Sequence, residues 1–154
     1  MLQAGCEDKV TFDPDASLVL LAQKTDKQLM TRVLIIEDEE ILRESILNIL
    51  EANGFSTIEA GDGQSGVRLA KERIPDLILC DIRMPELDGY EVLKTLRQDP
   101  LTASIPLLFL TAENIQNVRD QGEALGVNGY LTKPFSTAQL LQAISQELRD
   151  YPRH

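Results

Sequence analysis

Histidine is almost missing from this 154-residue chain: the single one is His154, at the very end. That excludes chemistry that needs an imidazole in the folded body, such as a histidine-based hydrolase, a His-rich metal site or a phosphohistidine carrier. Cysteine is scarce as well. Cys6 lies in an irregular N-terminal stretch and Cys80 inside an apolar run, so a disulfide framework is not expected and a reduced compartment is. No apolar run approaches the ~20 residues that a membrane helix needs. The acidic start, with Glu7, Asp8, Asp13 and Asp15, lacks the basic and apolar parts of a signal peptide, which favours a cytoplasmic protein. Positive charge is short too: 15 basic against 25 acidic residues leave a formal net of −10, with no Lys/Arg cluster. Such a surface repels nucleic acid and anionic lipid at long range, so neither direct nucleic-acid binding nor membrane insertion is expected.

What is present is an ordinary globular composition, 43% apolar, on a length that suits one domain. Residues 1–30 show little periodicity beyond Leu18-Val19-Leu20-Leu21-Ala22, and Met30-Thr31-Arg32-Val33 resembles a natural start, so residues 1–30 read as a loosely ordered extension. From Arg32 the pattern sharpens. Val33-Leu34-Ile35-Ile36 is a short β-branched run of the kind a fully buried strand shows. Ile41, Leu42, Ser45, Ile46, Ile49 and Leu50 follow at helical spacing, and Asn53-Gly54 supplies a stop. The alternation continues with strands over 55–60, 77–80, 105–110 and 127–131. The matching helices are expected over 64–73, 87–97, 113–125 and 137–148. Five strands alternating with five helices imply βαβ units and a doubly wound parallel sheet with helices on both faces, in a domain over 31–150 and a short tail at 151–154. In such a sheet, ligands bind outside the carboxyl ends of the strands.

Four of those ends carry reactive polar groups: Glu37-Asp38, Asp81, Thr111 and Lys133-Pro134. Taken singly, an acidic residue or a threonine after a strand is usually a helix cap or turn former, and a lysine before proline a solvated turn residue. The combination is more specific. Three carboxylates crowded at one sheet edge repel one another and call for a cation. A hard, oxygen-seeking ion such as Mg²⁺ suits them. A lysine offers a point charge for phosphate and a threonine hydroxyl a hydrogen bond. Together these describe phosphoryl transfer to an aspartate.

At this point the chain resembles a known family, the receiver domains of two-component response regulators, with their flavodoxin-like (βα)5 fold. The matching segments are Val33-Leu34-Ile35-Ile36-Glu37-Asp38-Glu39, Leu79-Cys80-Asp81-Ile82-Arg83-Met84-Pro85-Glu86-Leu87-Asp88-Gly89, Leu110-Thr111-Ala112 and Gly129-Tyr130-Leu131-Thr132-Lys133-Pro134-Phe135. The resemblance covers about Thr31 to Leu148. It implies that Asp81 is the phosphoacceptor, forming 4-aspartylphosphate, and that Asp38 is a direct Mg²⁺ ligand with Glu37 acting through water. Arg83 is implied to lend its backbone carbonyl to the metal, and Lys133, before a cis Pro134, to pair with the phosphoryl group. Thr111 and Tyr130 are implied to be the switch pair. Arg83 and Glu113, each two residues beyond a site residue, flank the phosphoryl group in the family and tune its removal by water; solvated surface charge is the equal alternative. Two departures stand out. Glu37 replaces the commoner Asp, and Gly129 replaces an acid used in one kind of dimer.

Two rival readings are weaker. Gly61-Asp62-Gly63-Gln64-Ser65-Gly66 fits a dinucleotide fingerprint between a strand and a helix. That reading leaves Glu37, Asp38, Thr111 and Lys133 without a role, and a tight turn explains the glycines equally well. An Asp-nucleophile phosphatase would need a second Asp two residues after the first, where Arg83 stands. The expected function is therefore a phosphorylation-dependent signalling switch rather than an enzyme. Its donor would be a histidine kinase or phosphotransfer protein. Its output would be an unknown protein contact, either as a stand-alone regulator or as a phosphorelay intermediate.

Overall fold

The computed structural model describes residues 31–150, and the expectations about residues 1–30, Cys6, 151–154 and His154 fall outside them. Ten elements alternate in chain order: β1 (Arg32–Ile36), α1 (Glu40–Ala52), β2 (Ser56–Ala60), α2 (Gly63–Arg73), β3 (Leu77–Asp81), α3 (Gly89–Gln98), β4 (Leu107–Thr111), α4 (Ile115–Ala124), β5 (Gly129–Thr132) and α5 (Thr137–Asp150). All strand pairings are parallel, and the order across the sheet is β2-β1-β3-β4-β5. This is the doubly wound, flavodoxin-like fold that the sequence implied.

The central strands are buried on both faces because helices cover both. Alternate residues of each strand enter two separate cores. Leu34, Ile36, Ile78, Cys80, Leu107 and Phe109 pack with α2, α3 and α4. Val33, Ile35, Leu77, Leu79, Leu108 and Leu110 pack with α1 and α5. Continuous apolar runs, rather than alternating ones, are what such strands must carry.

Element ends differ from the sequence expectation where local chemistry decides. The third helix starts at Gly89 instead of residue 87 because Asp88 caps it. The Asp88 side chain accepts the Glu91 N–H at 2.9 Å, and the Glu91 side chain accepts the Asp88 N–H at 3.0 Å, a complete capping box. The fourth helix starts at Ile115 after Asn114, whose side chain accepts the Gln116 N–H. β4 begins at Leu107, after Pro106, which has no N–H to give to a ladder.

The glycines of the dinucleotide-like motif serve packing. A Cβ on Gly63 would stand 2.5 Å from the Leu87 carbonyl oxygen, and one on Gly66 2.5 Å from Ile36 Cδ1. The N-terminus of α2, where a phosphate would sit, is filled by Asp62, which accepts the Ser65 N–H at 2.8 Å.

The loop after β3 carries strain. The Leu87 N–H donates to the Pro85 carbonyl at 2.8 Å, closing a three-residue turn around Glu86 at φ 70°. That geometry is costly for an L-residue with a side chain. Glu86 is exposed, so Glu86→Gly removes the strain without emptying a core. The substitution is expected to stabilise the protein by about 1 kcal/mol, read as a higher urea midpoint. An unchanged or lower midpoint would show that the turn stores nothing.

Candidate functional site

The carboxyl ends of β1 and β3 are neighbours, since Ile36 pairs with Cys80. The next residue of each strand therefore emerges at the same rim, which brings Glu37 beside Asp81. Both are buried, at 1% and 6% exposure, whereas Asp38 is exposed. One carboxylate oxygen from each of Glu37, Asp38 and Asp81 lies within 4.8 Å of the others.

Lys133 enters from the loop after β5, and its backbone N–H donates to the Thr111 carbonyl at 2.7 Å. Its Nζ donates to Glu37 Oε1 at 2.9 Å and to Asp81 Oδ1 at 3.0 Å. The peptide bond from Lys133 to Pro134 is cis. One ammonium thus serves two buried carboxylates, and a third stands at the rim. Counted as formal charges, three acids face one ammonium, an excess of two negatives.

The titration of these groups follows from that imbalance. Burial pushes the Glu37 and Asp81 carboxyls above the usual carboxylate range, and the bonds from Lys133 only partly oppose it. Burial also disfavours the Lys133 ammonium, but its bonds to Glu37 and Asp81 outweigh this and hold its pKa up. The lysine is thus firmly charged, while each carboxylate is under-compensated. A divalent cation with oxygen preference matches both the residual charge and the donor set.

The loop that holds the acids is itself held. Arg43 of α1 donates to the Glu37 carbonyl at 2.8 Å and to Glu59 Oε1 at 3.0 Å. The Glu39 N–H donates to Glu37 Oε2 at 3.1 Å. On the other side of the site, the Arg83 guanidinium forms a two-pronged ion pair with the Glu113 carboxylate. The hydrogen bond from Arg83 is the main reason the Glu113 carboxyl sits below its usual range. The two are surface charges joined as a pair that bridges the loops after β3 and β4.

Of the residues singled out in the sequence, Glu37, Asp38, Asp81 and Lys133 converge. Thr111 ends β4 at the same rim, and its Oγ1 accepts the Glu113 N–H at 2.9 Å. Tyr130 does not join the carboxylates. Its ring packs against Phe109, with centroids 6.2 Å apart, and its hydroxyl donates to the Arg119 carbonyl on α4 at 2.9 Å. Sequence reasoning missed Arg43 and the Arg83–Glu113 pairing; equal two-residue offsets past neighbouring strands were the one available hint to the latter. Beside the site, a groove of about 580 Å³ runs between α1 and the start of α5, lined in part by Ile41, Leu42, Ile49, Lys133, Pro134 and Phe135. Ile41 is 79% exposed there, a large apolar side chain left in solvent.

Comparison with known proteins fits this geometry. Residues 33–145 match the family described as the response regulator receiver domain. The chain belongs to the receiver-domain family. Receiver domains are phosphoacceptor regulatory modules rather than catalytic enzymes, and phosphorylation-dependent signalling is the family's activity. The phosphate regulon transcriptional regulatory protein PhoB of Escherichia coli (strain K12) is 39% identical over 118 residues, which cover 77% of this chain and 52% of PhoB. The chain thus spans about half the length of the curated relatives it matches. Among solved structures, the Vibrio cholerae chemotaxis protein CheY4 superposes with a TM-score of 0.74 at 30% identity, covering 76% of this chain and 98% of CheY4. The receiver domain of the sensor histidine kinase PA1611 from Pseudomonas aeruginosa PAO1 gives 0.70 at 32% identity, covering 75% of this receiver chain and 95% of its own. It carries a magnesium ion in its active-site cleft. The acidic triad of this receiver domain is of the type that binds Mg²⁺. Among the described residues, no helix is long and apolar enough to cross a membrane.

Proposed function

We propose that this receiver domain takes a phosphoryl group onto Asp81 from a histidine kinase or a phosphotransfer protein and changes its protein contacts as a result. The observation that carries the reading is the shared ammonium: Lys133 bonds Glu37 and Asp81 together, with Asp38 alongside. In the transfer, an Asp81 carboxylate oxygen attacks phosphorus, the bond from phosphorus to the donor's imidazole nitrogen breaks, and the imidazole leaves with the electron pair and takes up a proton. Mg²⁺ supplies charge neutralisation for the phosphoryl oxygens when bound. Asp38 and Asp81 would hold it directly, Glu37 through water, and Arg83 through its backbone carbonyl. Lys133 would exchange one carboxylate partner for a phosphoryl oxygen. Thr111 would give up its local bond to Glu113 and turn to the phosphoryl group, and Tyr130 would leave α4 and move inward. The apolar groove beside Lys133, open to solvent at Ile41, suits a helix of the donor.

Incubation with Mg²⁺ and acetyl phosphate is expected to add the mass of one phosphoryl group to the wild-type chain, and chelation of the metal to prevent it. If neither acetyl phosphate nor a histidine-phosphorylated donor protein modifies the wild type, the proposal fails. Pull-downs with and without a phosphoryl mimic separate two outputs. Capture of a second phosphotransfer protein would place the chain in a relay, and capture of an effector would make it a terminal regulator.

A further inference from the structure

Glycine inside a helix is disfavoured relative to alanine, so a buried glycine there calls for a reason in close packing. Gly122 lies within α4 and is buried. A Cβ placed on it would stand 2.6 Å from the Tyr130 hydroxyl oxygen, 3.1 Å from Val127 Cγ1 and 3.3 Å from Phe109 Cε2. The first contact is impossible, and the other two are tight but tolerable. Gly63 and Gly89 differ: there a Cβ would strike the Leu87 and Asp81 carbonyl oxygens, which belong to backbone. At Gly122 the obstructing atom is the tip of a side chain that can swing away.

That tip is held by one bond, from the Tyr130 hydroxyl to the Arg119 carbonyl one turn earlier in the same helix. The bare backbone at Gly122 is what lets the phenol approach α4 closely enough to make it. We propose that Gly122 is a positioning residue for the switch: its missing side chain forms the notch that seats Tyr130 on α4, and so sets the balance between the resting and signalling arrangements. The inference rests on the reading of Thr111 and Tyr130 as the switch pair. It adds a residue that touches neither the metal nor the phosphoryl group.

A methyl group in the notch leaves the α4 backbone in place and evicts the hydroxyl. Losing one neutral hydrogen bond shifts a two-state population by roughly threefold to tenfold. Linkage requires a shift toward the signalling arrangement to tighten whatever ligand that arrangement prefers by the same factor.

The test is a double-mutant cycle between Gly122→Ala and Tyr130→Phe, which keeps the ring but deletes the obstructing oxygen. In Gly122→Ala, the contacts of the Tyr130 ring with α4, followed by NMR, are expected to be lost. Affinity for Mg²⁺ with beryllium fluoride, a phosphoryl mimic, is expected to rise by about threefold to tenfold. In the Tyr130→Phe background, Gly122→Ala is expected to change neither reading. An unmoved ring in Gly122→Ala would overturn the notch. A ring that moves with no gain in affinity would overturn its link to the switch, and so would an equal gain in the Phe background. Should wild type bind no beryllium fluoride, the phosphoacceptor reading fails and the link to the switch with it, while the ring contacts still decide the notch.

Discussion

Asp81→Asn is expected to abolish phosphoryl uptake and, without metal, to make the protein harder to unfold. The first effect follows from the nucleophile. An amide oxygen in place of a carboxylate offers no negative charge to attack phosphorus, and losing a nucleophile of this kind costs on the order of a thousandfold or more in rate. The second follows from the setting. Burial disfavours the ionised Asp81 carboxyl, and Asp38 repels it, so its folded pKa lies above the unfolded value. The folded state then holds more protons than the unfolded state over that interval, and wild-type stability falls as pH rises through it. Asn does not titrate and still offers Lys133 an oxygen. The variant is therefore expected to be about 1 kcal/mol more stable than wild type at pH 7.5 without Mg²⁺. The gap should close as the buffer is taken down toward the ordinary carboxylate range, and Mg²⁺ should stabilise wild type more than the variant. Urea unfolding at several pH values, with and without Mg²⁺, reads all three. A variant that is still modified by acetyl phosphate would remove Asp81 from its role, and one less stable at every pH would remove the electrostatic account.

Lys133→Met is expected to act in the opposite direction. The side chain is about as long, so the aliphatic packing survives, but the ammonium that bonds Glu37 and Asp81 is gone. Two buried carboxylates are then left facing each other with Asp38 near them. Removing one partner of such a cluster strands the others, at a cost of roughly 3 kcal/mol at pH 7.5 without metal. The loss should shrink on acidification, as a carboxyl takes up a proton in place of the missing charge. Mg²⁺ should recover a larger share of stability in the variant than in wild type, because it meets an excess of three negative charges where wild type has two. Equal stability of the two proteins at every pH would show that Lys133 is a solvated residue.

The strands of this molecule were legible because a strand buried on both faces must be apolar throughout. Val33–Ile36, Leu77–Cys80 and Leu107–Leu110 have no other use for such runs. The site was legible for a related reason. Where so apolar a run gives way to Glu37, Asp81 or Thr111, the polar residue stands at the rim of the sheet. Strand order was not written locally, since placing β1 between β2 and β3 depends on crossovers that span whole helices. The Arg83–Glu113 bridge joins two loops that only the folded sheet brings together, and the bond from Arg43 of α1 to the Glu37 carbonyl depends on how that helix settles against the loop before it. Gly122 was unreadable from pattern alone, because its meaning lies in the atom that occupies the space where its side chain would be. The six-residue glycine motif showed the converse. Gly63 and Gly66 are spaced as a nucleotide loop would space them, yet they answer to the Leu87 carbonyl and Ile36.

The alternation of side chains along the sheet sorts more than hydrophobic residues. Glu37 follows Ile36, and Asp81 lies between Cys80 and Ile82, all three of which belong to the core under α2, α3 and α4. By parity Glu37 and Asp81 fall on the side of α1 and α5. Thr111 follows Leu110, which packs on the α1 and α5 side, so Thr111 falls on the other, as do Phe109 and Tyr130. The sheet is in effect a bulkhead, with the buried carboxylates in one compartment and the Tyr130 ring in the other. In the proposed switch, a signal from Asp81 would therefore travel around the rim of the sheet, where Thr111 stands, rather than through the packed Leu and Ile. The two compartments also lie under different outer walls, so in the proposed switch a donor at α1 and an effector at α4 would not compete for the same face.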